Sequence, residues 1–149
     1  MTFLFTLAHA GTATAWLGAM AYSLFVVQAR AGRLYGTPER AEDLYRELGA
    51  GNRWRVIALI ALLAATGAGL AATGRGGGWW WAAVAAKVAL LGGAAGLFWW
   101  VSWRGWPARI FALPEELPGQ QRRFRRVALA MVGLVGAAYV LGIAAAHPG

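Results

Sequence analysis

The chain has 149 residues, of which 59% are hydrophobic and only 13% are charged, and its mean hydropathy is +0.50. A soluble domain has about 25% charged residues, so this composition is that of a membrane protein. The chain contains no cysteine, which excludes disulfides, thiolate metal sites and thiol catalysis. The chain is therefore expected to consist of membrane-spanning segments.

Four long apolar runs lie between the charged residues and predict an all-α fold. Each run reaches or exceeds the roughly 20 residues that cross a hydrocarbon core of about 30 Å as a helix. A helix also satisfies its own backbone groups where water is absent. We predict a single domain over residues 1–149, an integral membrane four-helix transmembrane bundle. The predicted helices cover residues of about 3–28, 54–73, 79–103 and 125–146.

The first long loop contains a helix start signal. Thr37 is a suitable N-cap, Pro38 suits the first helical position, and Glu39 places an acid in the first turn. Apolar residues then recur at helical spacing, which predicts an amphipathic surface helix over about 38–48. Its acids are expected to face solvent; they are Glu39, Glu42, Asp43 and Glu47.

The third loop is predicted to be irregular because it contains three prolines, which interrupt helices. These prolines are Pro107, Pro114 and Pro118.

The distribution of arginine predicts the topology. Six arginines flank the first long loop and six flank the third, whereas the short second loop has only Arg75. By the positive-inside rule the first and third loops are cytoplasmic, and both termini lie on the outer (periplasmic) side. The net charge of +8 thus reflects topology rather than nucleic-acid binding, and its expected partner is a bilayer with anionic head groups.

The first helix is predicted to be retained, because it lacks the basic segment of a signal peptide and its apolar run is too long for one. The heavy use of Ala, Gly and Arg favours a multi-pass protein of a bacterial plasma (inner) membrane.

Three residues in or beside the predicted spans can titrate as bases or coordinate through nitrogen: His9, Lys87 and His147. A charge inside a bilayer costs about 3 kcal/mol or more, so Lys87 marks a functional site by default. With the predicted topology, His9 and Lys87 both lie roughly 8 to 12 Å below the outer surface, at about 1.5 Å per residue. His147 lies at the outer rim.

Each of these residues also has a structural alternative. His9 could bond a helix carbonyl, Lys87 could extend outward to the head groups, and His147 could simply be interfacial.

Helical spacing places His9, Thr12, Trp16 and Met20 on one stripe of the first helix. If Lys87 faces this stripe, the outer half of the bundle holds a polar pocket with an apolar floor, which suits a planar macrocycle or a bound metal. Lys87 is the candidate catalytic residue, and it shares cofactor binding with His9, Thr12 and Trp16. The candidate metal ligands are His9 and His147.

The ligand inventory favours haem over copper. Copper pathways use thiolate or thioether ligands, and Met20 lies about 16 Å along the helix from His9. Haem needs one or two axial ligands and an apolar slot. Zinc hydrolysis needs three protein ligands, and a nucleophilic triad needs a carboxylate that these helices lack.

The run from His9 to Gly18, in which Trp16-Leu-Gly follows the histidine, resembles the first-helix signature of the CopD-type copper-resistance membrane domain. Three further matches are the Thr66-Gly67 pair, the segment that begins at Lys87 with Arg104 after it, and the closing His147-Pro148. The resemblance spans nearly the whole chain. It implies a metal or haem site in the outer leaflet, used in copper handling or membrane redox chemistry.

The histidine on helix one and the lysine on helix three are also similar to those of the HemJ protoporphyrinogen oxidases, four-helix proteins that bind haem b. That likeness implies that His9 is an axial ligand and that Lys87 lies near the haem or the substrate. A third reading is non-catalytic: an accessory subunit of a larger membrane complex, or a homo-oligomer, whose Trp-rich helices form the contact. The sequence leaves open whether the protein is an enzyme.

Overall fold

The computed structural model describes residues 2–74 and 77–146, and these residues form five helices and no strand. Four of the helices are long and apolar enough to span a membrane, which confirms the all-α class and the four predicted long apolar helices. His147 and Arg75 lie outside the described residues. The helices are α1 (Thr2–Leu34), α2 (Pro38–Gly49), α3 (Asn52–Thr73), α4 (Gly78–Ile110) and α5 (Leu117–Ala146).

The four long helices pack in two pairs, α1 with α3 and α4 with α5, and α1 also contacts α5. Their shared core contains one residue from each helix, none more than 4% exposed: Trp16, Leu63, Ala94 and Val135. Many other large apolar side chains are exposed, as expected where lipid is the surrounding medium. We call the end that carries α2 and the α4–α5 connection the arginine-rich end, and the opposite end, where α1 begins, the terminal end.

Three long helices extend beyond the predicted limits at the arginine-rich end. Helix α1 continues to Leu34, α4 continues to Ile110, and α5 begins at Leu117 instead of near residue 125. The apolar pattern stops before these segments, which are rich in polar residues. Arginine and glutamine are good helix formers, however, so the helices continue through them.

The predicted irregular third loop is mostly helical, so that prediction was wrong. Helix α4 passes through a π turn at Val101–Gly105 and continues across Pro107. A 3₁₀ turn at Pro114–Glu116 leads directly into α5, and Pro118 is the second residue of that helix. Proline is tolerated in a first turn because the N–H groups there have no helical acceptor.

Helix α2 forms at the predicted position, and the Oγ1 of Thr37 accepts a hydrogen bond from the Arg40 backbone N–H at 3.5 Å. The expectation that all its acids are solvated was wrong. Glu42 is 2% exposed, and the Nε and Nη2 of Arg109 each donate to one of its carboxylate oxygens at 2.7 Å. Beyond it, Gly49 lies so close to the Trp106 ring that a Cβ would approach it to 2.7 Å. Helix α2 is therefore docked on the long helices.

Candidate functional site

His9 is held by helix α3. Its Nδ1 lies 2.9 Å from the Oγ1 of Thr66, and the Thr66 hydroxyl lies 2.7 Å from the carbonyl oxygen of Leu62 one turn earlier. The imidazole packs over Gly67, where a Cβ would come within 3.2 Å of its Cε1. A threonine followed by a glycine thus supplies both an acceptor for the ring and the space that the ring needs.

These contacts determine which ring nitrogen carries the proton. A threonine hydroxyl has one hydrogen, and the short distance to the Leu62 carbonyl assigns that hydrogen to the backbone. The Thr66 oxygen then accepts from the His9 Nδ1–H. In this tautomer the neutral imidazole carries its lone pair on Nε2. A histidine oriented through Nδ1 in this way can offer Nε2 to a metal or to a haem iron.

Lys87 extends across to helix α5. A Cβ built on Gly142 would lie 3.2 Å from its Nζ and 3.5 Å from its Cε. The side chain therefore lies in the space that the glycine leaves, and no carboxylate among the described residues is within 4 Å of its ammonium. Lys87 is also near enough for its charge to act on the His9 ring.

Helical register shows that these groups share one level. On three of the four long helices a residue of this site lies seven positions, or two helical turns, from a residue of the core cluster. At 1.5 Å per residue the separation is about 10 Å in each case. We call His9, Thr66, Lys87 and Gly142 the polar layer. The pairs of layer and core residues are His9 and Trp16, Lys87 and Ala94, and Gly142 and Val135.

The structure bears on the structural alternatives for both residues. Lys87 crosses the helices at its own level rather than extending toward the terminal end, so the snorkelling alternative does not describe its conformation. His9 lies against the Thr66 hydroxyl, and the backbone of Leu63 also forms a hydrogen bond with its ring. The helix-carbonyl alternative for His9 therefore stands beside the functional one.

The other predicted site residues have different positions. Thr12 is 9% exposed on the predicted stripe. Trp16 is part of the core cluster, and its indole Nε1 has no hydrogen-bond partner among the described residues. Its surroundings are those of a packed core residue rather than of a pocket wall. Next to this stripe, the Oγ1 of Thr14 lies 3.1 Å from the Tyr139 hydroxyl of α5.

The structure adds Thr66 and Gly142 to the site. The sequence marked Thr66 only through the Thr66-Gly67 resemblance, and it did not mark Gly142, because neither residue is ionisable. Two sequence features could have identified them: Thr66 is a hydroxyl residue within an apolar helix, and Gly142 is a glycine at the level of a buried charge.

Among the described residues, no group of three histidines or acids is placed to hold a metal ion. Two cavities open at the arginine-rich end, and neither is lined by His9 or Lys87. The polar layer consists of one oriented imidazole, one cation for which the described residues provide no counter-ion, and apolar surroundings. No protein-family model, curated protein or solved structure matches the chain.

Proposed function

We propose that this protein is a CopD-like integral membrane protein that binds haem b at the polar layer and acts in membrane redox chemistry. The observation that carries the proposal is the contact of 2.9 Å between the His9 Nδ1 and the Thr66 hydroxyl, which orients the ring with its lone pair on Nε2. Bound there, the haem iron would supply one-electron chemistry.

Ligand number favours haem over copper. Haem requires a single protein nitrogen and an apolar surrounding, and His9 meets the first requirement. A protein copper site needs several ligands, which the described residues do not assemble. Because the two cavities lie at the other end, the macrocycle would bind on the exposed, lipid-facing side of the half-buried His9.

Lys87 would act on the anionic substituents of the bound group. Its ammonium has no carboxylate partner among the described residues, and an unpaired charge at this depth is costly. A carboxylate of the ligand would remove that cost through a charge-assisted hydrogen bond. Lys87 would then bind and orient the ligand, or a porphyrinogen substrate in a HemJ-like enzyme.

The resemblance in sequence supports the same reading. Some of the residues that carry it, namely His9, the Thr66-Gly67 pair and Lys87, come from three helices and lie at one level. With the positive-inside rule, the layer belongs to the outer leaflet of a bacterial inner membrane and both termini to the periplasmic side.

An absorption spectrum of the detergent-purified full chain tests the proposal. We expect a Soret band that is lost in His9→Ala and is restored when free imidazole is added to that variant. Thr6→Ala is the matched control. Thr6 lies on the same helix and is exposed, and its hydroxyl donates to the Thr2 backbone carbonyl one turn earlier. Its spectrum should equal that of the wild type.

Three outcomes count against the proposal. A Soret band that survives in His9→Ala means that His9 is not the ligand. A colourless protein that binds copper supports a copper-handling role, and a colourless, metal-free protein recovered with a larger complex supports an accessory subunit. If haem is bound, oxidation of protoporphyrinogen by the wild type but not by Lys87→Met would assign the HemJ-like activity.

A further inference from the structure

Two neighbouring cavities, of about 480 and 300 Å³, lie at the arginine-rich end. The first is bounded by all four long helices and by α2, and the second lies between α1 and the start of α5. Gln28, Tyr45 and Arg109 line both cavities, and the Tyr45 hydroxyl donates to the Gln28 carbonyl at 3.3 Å. Their volumes lie in the range of small-ligand sites, roughly 300 to 1,000 Å³. We call the two cavities together the arginine chamber.

The lining of the arginine chamber is basic. Arg53 and Arg109 line the first cavity, and Arg109, Arg122 and Arg125 line the second. Among the described residues, no Asp or Glu lines either one. Glu42 lies beside Arg109, and both its carboxylate oxygens accept from that guanidinium. Glu42 thus neutralises Arg109, and the other three arginines give the chamber a net positive charge.

Arg53 is fixed in the wall by a defect in helix α4. The Trp106 N–H bonds the Val101 carbonyl across the π turn, and Pro107 has no N–H, so the Ser102 carbonyl loses its usual helical donors. The Nη2 of Arg53 donates to that carbonyl. The guanidinium also stacks on Trp103, with 4.6 Å between its Cζ and the ring centroid. A guanidinium has five N–H donors, and the carbonyl uses only one.

The other wall of the first cavity is apolar. Phe98, Ala128 and Met131 line it on the side that faces the core of the long helices. The chamber thus combines cations at the helix ends with an apolar floor that leads toward the hydrocarbon region. A ligand that fits both parts has an anionic group and an apolar body.

We propose that the arginine chamber binds one anionic phospholipid, with its phosphate among the arginines and the start of an acyl chain against the apolar floor. Basic pockets between spanning helices have the chemistry that selects such head groups. This site is separate from the polar layer and does not depend on haem binding.

Titration of the delipidated full chain in detergent with three probes tests the proposal: dioctanoyl phosphatidylglycerol, dioctanoyl phosphatidylcholine and inorganic phosphate. We expect saturable binding of one phosphatidylglycerol, measured by calorimetry or native mass spectrometry, and at least about tenfold weaker binding of the other two. Equal binding of phosphatidylcholine would overturn the anionic site. Equal binding of phosphate would mean a soluble phosphoryl ligand instead of a lipid.

Paired variants locate the site. Arg125→Gln should weaken phosphatidylglycerol binding about tenfold, because it removes one charged donor. Arg126→Gln, an adjacent exposed arginine that lines neither cavity, should leave the affinity within about twofold. Ala128→Leu should also weaken binding because it fills the apolar floor without changing any charge. Equal effects of Arg125→Gln and Arg126→Gln, or no effect of Ala128→Leu, would refute the assignment.

Discussion

The buried ion pair between Glu42 and Arg109 is expected to hold α2 against the long helices. Glu42 is 2% and Arg109 is 6% exposed, and two hydrogen bonds of 2.7 Å join them. Replacing Glu42 by Gln removes the charge but keeps the shape, and leaves the Arg109 guanidinium buried without its counter-ion. Loss of one partner of such a pair costs about 3 to 5 kcal/mol. At about 1.4 kcal/mol per factor of ten, the undocked state of α2 should become at least about a hundredfold more populated.

Hydrogen exchange followed by mass spectrometry measures this opening directly. Peptides that cover Pro38–Gly49 should lose protection in Glu42→Gln, while peptides from the core of α3 and α4 keep theirs. Glu47→Gln is the matched control, since Glu47 is an exposed acid of the same helix. The double variant Glu42→Met/Arg109→Met should recover much of the protection, because an apolar pair avoids the unpaired charge. The reasoning is refuted if Glu42→Gln and Glu47→Gln exchange alike.

Three further predictions follow from local geometry. Thr66→Val removes the hydroxyl that bonds the His9 Nδ1, so the free energy of unfolding in detergent should fall by about 1 to 3 kcal/mol. An unchanged value would mean that this hydrogen bond does not contribute to stability. Gly142→Ala places a methyl group about 3.2 Å from the Lys87 Nζ and should displace it. Since Lys87 is the sole lysine of the chain, acylation located by peptide mass spectrometry should become faster, and an equal rate would count against the packing. Burial raises the pKa of Tyr45, the nearby Arg109 opposes that rise, and Glu42 adds to it. The pKa of Tyr45 in the folded protein therefore lies above the unfolded value of about 10. The contribution of Tyr45 to stability is present below about pH 10 and is lost as the pH rises through the folded pKa. Absorbance titration of tyrosinate should show a late-titrating group that Tyr45→Phe removes.

The apolar runs were sufficient to predict four long helices, and the Thr37-Pro38-Glu39 signal was sufficient for α2, because both depend on local physical chemistry. The burial of Glu42 could not be predicted in this way. Its partner Arg109 is 67 positions away, and an acid on a surface helix gives the same local pattern whether or not a distant arginine meets it. The helix limits failed for a related reason: hydropathy detects the hydrocarbon region, whereas helix propensity continues past it.

The candidate site, like the fold, could be predicted only in part from the sequence. Depth along each helix is a property of the sequence, so the common level of His9 and Lys87 could be predicted from residue counting and the positive-inside rule. The groups that orient them, Thr66 and Gly142, depend on how the helices rotate against one another. That rotation is set by packing around the core cluster, and no local pattern encodes it.

The two π turns, at Ser23–Val27 and Val101–Gly105, each hold one residue more than an α-helical turn would. An added residue in a regular α-helix rotates everything beyond it by about 100°, whereas a π turn takes up the extra residue locally. Deleting a single residue from Val101–Gly105 should therefore restore a regular α-helical turn and leave both Arg109 and Lys87 in place. The turns let α1 and α4 tolerate a change of one residue in length, so that the arginine chamber and the polar layer keep their positions relative to one another.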